Sequence, residues 1–89
     1  MNTKARIRQL LEEGTPDEAI KLANQQLAQA ADDELYYLRG NAFLKLNDWQ
    51  KAIESYLEAL ELNPESPARE TMTMANDILD FYNKDVYNQ

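Results

Sequence analysis

The chain has no cysteine and no histidine among its 89 residues. The first absence removes disulfides, thiolate nucleophiles and thiolate metal ligands. The second removes the imidazole that acts as general base, as partner of a nucleophilic serine and as zinc ligand. Glycine occurs only at Gly14 and Gly40, so no glycine-rich loop is available to cradle phosphate. No apolar run approaches the ~18 residues of a membrane span, and the opening "MNTKARIRQLLEEG" has basic residues without a continuous apolar stretch of the secretory kind. A cytoplasmic protein is the expected reading, and most familiar enzyme mechanisms are closed to it.

What the chain does have is acid. Its net charge is −7, and residues 48–66 alone carry −4. Nucleic acids and anionic membranes are disfavoured partners, because both need a Lys/Arg surface. The carboxylate pairs Glu12-Glu13, Asp32-Asp33 and Asp77 with Asp80 match acid/base or divalent-cation chemistry only if a pocket brings them together. Helix capping and solvation explain them more simply, so no enzyme, metal or cofactor is expected.

Turn signals at Gly14-Thr15-Pro16, Ala30-Ala31-Asp32-Asp33, Asn47-Asp48 and Asn63-Pro64-Glu65-Ser66-Pro67 divide the chain into five segments of helical length. In "TPDE", Thr15 is the expected N-cap, Pro16 fits the first turn and Glu18 closes a capping box. Asp48 and Ser66 are further expected caps. Trp49, Ala52, Ile53, Tyr56, Leu57 and Leu60 recur at the spacing of an amphipathic helix, whose other face carries Glu54, Glu58, Glu61 and Glu65. Residues 34–46 differ: Leu35, Tyr36, Tyr37, Leu38, Ala42, Phe43, Leu44 and Leu46 spread apolar surface around most of the helix, leaving a narrow polar edge at Glu34, Asn41 and Lys45. Such a helix needs neighbours on several sides.

Gly14 and Asn47, Glu18 and Lys51, Ala19 and Ala52, and Ile20 and Ile53 are each 33 residues apart. A period of this size indicates stacked helical hairpins. Residues 33–66 resemble a tetratricopeptide repeat, with Tyr36, Gly40, Phe43, Ala52, Tyr56, Ala59 and Pro64 on the family pattern. An interior glycine costs a helix about 1 kcal/mol relative to alanine, so Gly40 is expected to sit where two helices cross closely, opposite Ala52. Arg39 stands where the pattern prefers leucine and is expected to snorkel or to pair with a carboxylate of the preceding hairpin. Residues 1–32 look like a degenerate copy, with Ile7 in the glycine slot and Ala31 replacing the closing proline. Residues 67–89 begin a third copy and form a lone closing helix. The resemblance thus implies a single all-α domain over residues 1–89: two antiparallel helix-turn-helix hairpins and a C-terminal capping helix, in a right-handed α-solenoid.

In this family the first helices of successive repeats line a concave groove for a peptide or helix of a partner protein, so the resemblance implies a protein–protein interaction module. The implied groove residues are Glu34, Tyr37, Asn41, Leu44 and Lys45, with Lys4, Arg8, Leu11 and Glu12 at the equivalent places of the first hairpin. The alternative for each is a solvated polar face. A full Lys/Asn/Arg carboxylate clamp is absent, since Tyr37 stands where such a clamp needs lysine. A different reading is self-association into a homodimer through Met74, Ile78 and Phe81, an apolar stripe on the closing helix; its alternative folds the tail "NKDVYNQ" back over the stripe. Lys4, Arg6 and Arg8 lie near the start of the first helix, where the macrodipole favours acids, and are expected to promote fraying.

Overall fold

The computed structural model describes the backbone of residues 2–87 and the side chains of residues 2–80. It contains α1 (Thr3–Glu12), α2 (Pro16–Leu27), α3 (Asp33–Lys45), α4 (Trp49–Leu62) and α5 (Ala68–Tyr87), with no strand among the described residues. Each helix packs on the next in sequence, and α1 also meets α3. Short turns between them make neighbouring helices antiparallel, so the hairpins α1–α2 and α3–α4 stack and α5 closes the second. The array measures 51 × 28 × 18 Å.

The two hairpin turns are built alike, which gives the 33-residue period a backbone cause. Gly14 and Asn47 both take positive φ, +82° and +60°. After them, the Thr15 N–H donates to the Leu10 carbonyl and the Asp48 N–H to the Phe43 carbonyl, each at 2.9 Å. This is the Schellman closure, in which a left-handed residue lets the chain satisfy a helix's last carbonyls. The caps that follow differ. Asp48 accepts from the Lys51 N–H at 3.2 Å, whereas the Thr15 hydroxyl turns back and donates to the Leu10 carbonyl at 3.0 Å. Thr15 therefore marks the start of α2 without capping it through its side chain, and the expected capping box with Glu18 is not made. Ser66 accepts from the Ala68 N–H at the head of α5, and Asn2 caps α1 through the Lys4 N–H at 2.8 Å.

Two buried clusters share α3. Leu35, Leu38 and Ala42 join Ile7, Leu10, Leu11, Ala19 and Ala23, while Tyr36, Tyr37, Phe43 and Leu44 pack against Ala52, Tyr56, Ala59 and Ala68. The apolar belt around residues 34–46 reflects this position between two hairpins.

Gly40 is explained by a different neighbour from the one expected. A β-carbon built there would lie 2.4 Å from Tyr56 Cε1 and 2.7 Å from its Cδ1. The missing side chain makes room for the ring of Tyr56, which is fully buried, and Ala52 is not what limits the approach. The Tyr56 hydroxyl donates to Asn41 Oδ1 at 2.6 Å, and burial pushes its pKa far above the ordinary tyrosine value. In the first hairpin the positions 33 residues earlier are Ile7 and Ala23, both fully buried in one cluster. The small-plus-large pair of the second hairpin is replaced there by a large-plus-small pair. The first hairpin fills the same space in the opposite sense, and its departure from the family pattern is a repacking.

Arg39 reaches the preceding hairpin, but through an amide. Its Nη1 donates to Asn24 Oδ1 at 2.9 Å and its Nε to the buried Ser55 hydroxyl at 3.1 Å, while its guanidinium lies 5.0 Å from the Tyr36 ring centre. One side chain thus ties α3 to α2 and α4, which a leucine cannot do.

Candidate functional site

The heads of the first helices come together at one end of the stack. Lys4 on α1 donates to Asp32 Oδ2 at 2.9 Å and lies 4.0 Å from Glu34 Oε2. Arg8, one turn further along α1, pairs with Glu34 Oε1. Basic residues at the wrong end of α1 for its dipole are thereby matched by acids at the right end of α3. Two cations of the expected groove thus already meet this chain's own acids.

The hydrogen bond from Lys4 holds the Asp32 carboxyl below its usual range and raises the Lys4 ammonium above its own. A depressed carboxylate stabilises the fold above its unfolded pKa and loses that contribution as pH falls through its lowered folded value. The raised lysine contributes below its unfolded pKa and loses its share as pH rises through its higher folded value. Both groups are solvent-accessible, so the pair contributes under about 1 kcal/mol. Asp32→Asn keeps an acceptor for the α3 cap, which Asp32 Oδ1 now provides to the Leu35 N–H. Urea titrations should show the variant less stable at neutral pH, with the gap from wild type closing as the pH drops below the ordinary aspartate value of 3.8. A gap that persists in acid would assign the effect to the cap.

Beside this network lies a cleft of about 350 Å³ lined by Arg8, Asp33, Glu34, Tyr37, Asn63, Ser66 and Pro67. It is built from α1, the first turns of α3, the end of α4 and the approach to α5. Asn63 Nδ2 donates to Asp33 Oδ2 at 3.1 Å, fixing that carboxylate. The Tyr37 ring stands 6.0 Å from that of Tyr56 at a tilt of 43°, so the buried tyrosine supports the half-buried one at the cleft.

The groove residues expected from the sequence divide. Arg8, Glu34 and Tyr37 line this cleft, and Lys4 adjoins it through its two acids. Asn41 accepts, at its Oδ1, the hydrogen bond from the Tyr56 hydroxyl. Leu44 packs on the second cluster. Lys45 lies at the other end of α3, with Leu46 and residues 14–18 around a separate cleft. Glu12 is exposed. Leu11 must be withdrawn: it is 8% exposed and belongs to the first core cluster, because α1 turns its Ile7, Leu10 and Leu11 edge inward.

Asp33, Asn63, Ser66 and Pro67 were not anticipated. A signal for two of them exists in the spacing, since Asp33 and Pro67 are 34 residues apart, one repeat length, and fall where successive first helices begin.

On the closing helix, Met74 is 49% exposed and Ile78 is half-buried; the side chain of Phe81 lies outside the described residues. The α5 backbone is continuous through Tyr87, so the backbone of residues 83–87 extends the helix; the rest of the tail lies outside the described residues. Among the described residues no helix is long and apolar enough to cross a membrane, and no group of three or more acidic side chains is placed to hold a metal ion.

Comparison with known proteins agrees with this architecture. The tetratricopeptide repeat family matches residues 34–66. A Bacteroides fragilis protein determined by solution NMR is 46% identical, with a TM-score of 0.88 over all of this chain and 92% of its own. No curated protein matches the chain. The five helices and the matched repeat define a helical-hairpin protein of the interaction-module class. The chain belongs to the tetratricopeptide repeat family, a fold that serves protein–protein interaction in general.

Proposed function

We propose that this chain is an adaptor that holds a peptide or helix of a partner protein in the cleft between the heads of α1, α3 and α5. The observation that carries this reading is the lining itself. Arg8, Glu34 and Tyr37 come from the first helices of two successive hairpins, and Ser66 and Pro67 from the approach to the third such helix. One extended or helical segment lying across these elements meets an aromatic ring, charged groups of both signs and an amide. These are the anchors that dominate protein interfaces.

Affinity capture from the native cell, followed by quantitative mass spectrometry, tests it. Asn63→Ala and Tyr37→Ala, both in the cleft lining, should each lower recovery of the co-purifying protein by about tenfold, the size of losing one hot-spot contact. Glu58→Ala, on the exposed outer face of α4, should recover it in full. Equal recovery by all three, with wild-type circular dichroism, would move binding away from the cleft.

A further inference from the structure

The charges around the cleft do not balance. Lys4 serves Asp32 and Glu34, and Arg8 serves Glu34. Three carboxylates in sequence, Asp32, Asp33 and Glu34, therefore face two cations. The carboxylate left over is Asp33: among the described residues no ion pair reaches it, and its hydrogen bond comes from the neutral amide of Asn63. It is partly buried, oriented by that amide, and lines the cleft with Tyr37.

The aromatic side chains of α3 sharpen the point. Tyr36 carries the Arg39 guanidinium at 5.0 Å and Phe43 faces the Lys51 ammonium at 5.9 Å. Tyr37, between them in sequence, has no such cation among the described residues. Among the described residues, a fixed carboxylate that no ion pair reaches and an aromatic ring that no cation covers thus share one cleft, with Lys4 acting on the carboxylate only at longer range. A lysine or arginine satisfies both at once, by a charge-assisted hydrogen bond and a cation–π contact. The chain's net charge of −7 favours the approach of a basic segment over an acidic one.

We infer that the segment held in this cleft is basic, and that it places one lysine or arginine against Asp33 and Tyr37. The inference rests on the proposed role of the cleft and adds to it the chemistry of the partner. It opposes the acidic occupant that Arg8 would otherwise suggest, since Arg8 is already committed to Glu34.

The test uses peptides selected from a random display library on the intact chain, each mapped by amide shift changes in ¹⁵N-labelled protein. Peptides that perturb Asp33, Tyr37, Asn63 and Ser66 should carry a shared lysine or arginine. Its replacement by glutamine should weaken binding by about tenfold or more. Asp33→Asn, which can still accept from Asn63, should weaken the basic peptide by a similar factor and leave the glutamine peptide unchanged. Cleft-bound peptides that are acidic, or indifferent to both changes, overturn the basic-residue assignment and leave the cleft reading standing. Selected peptides that map only to α4 or α5, or none that map to the cleft, remove both.

Discussion

Gly40→Ile should destabilise the second hairpin by about 3 kcal/mol or more, and adding Tyr56→Ala to the same chain should restore most of that loss. The first half follows from contact. A β-carbon alone would stand 2.4 Å from a ring that is fully buried and anchored to Asn41 through its hydroxyl, so the ring cannot swing away. Overpacking of this kind costs about 1–3 kcal/mol and more when the neighbour is fixed. A domain of this length has only some 4–13 kcal/mol in total. Even Gly40→Ala, which gains about 1 kcal/mol of helix propensity at an unhindered site, should be destabilising here. Tyr56→Ala alone should cost about 3–5 kcal/mol through the cavity it leaves.

The second half follows from the first hairpin, where Ile7 and Ala23 hold the equivalent positions and are both fully buried. The double variant transplants that solution. Urea unfolding of the two single variants and the double should give a coupling energy of at least ~2 kcal/mol, with the double more stable than either single. Additive losses would mean that the two hairpins are not interchangeable at this position.

How much of this was legible in the sequence depends on the kind of contact. Turns whose chemistry is local were visible: Gly14 and Asn47 supply the positive φ, and Asp48 a cap, at positions 33 apart. The five segments follow because each turn signal is self-contained. Thr15 marks the helix start as the pattern predicts but makes a different hydrogen bond, because its hydroxyl can either accept from an N–H of the next turn or donate to the Leu10 carbonyl, and pattern alone does not rank the two. The site was less legible. Arg8, Glu34 and Tyr37 could be assigned to one face from the repeat. Asn63 and Ser66 require knowing how one hairpin's end meets the next helix's start. Leu11 departs from the groove expectation because α1 turns it into the first cluster, whereas Leu44, 33 residues on, is only half-buried. The counter-ions of Lys4 and Arg8 lie 26 or more residues away in sequence, a distance at which helical periodicity says nothing about pairing.

Making the first hairpin conform to its family should harm it. Ile7→Gly restores the pattern residue in the slot that Gly40 fills, and a comparison of repeats by identity alone would count it as a repair. Physically it removes a fully buried isoleucine side chain from the cluster of Leu10, Leu11, Ala19, Ala23, Leu35, Leu38 and Ala42, with no large ring at position 23 to take the space. Truncation of a buried isoleucine to alanine costs about 2–5 kcal/mol, and the further step to glycine inside a helix about 1 more. Ile7→Gly should therefore lose ~3–6 kcal/mol, enough to leave α1 detached from the stack at room temperature. Because α1 carries Lys4 and Arg8, the loss reaches the cleft as well: amide exchange should rise through α1, and Asp32 and Glu34 should lose their partners together. Ala23→Tyr in the same chain supplies the ring that the glycine slot requires, and should return a large part of the lost stability. A single variant within ~1 kcal/mol of wild type would show that Ile7 is not what fills that space, and would sink the exchanged-pair account of the first hairpin.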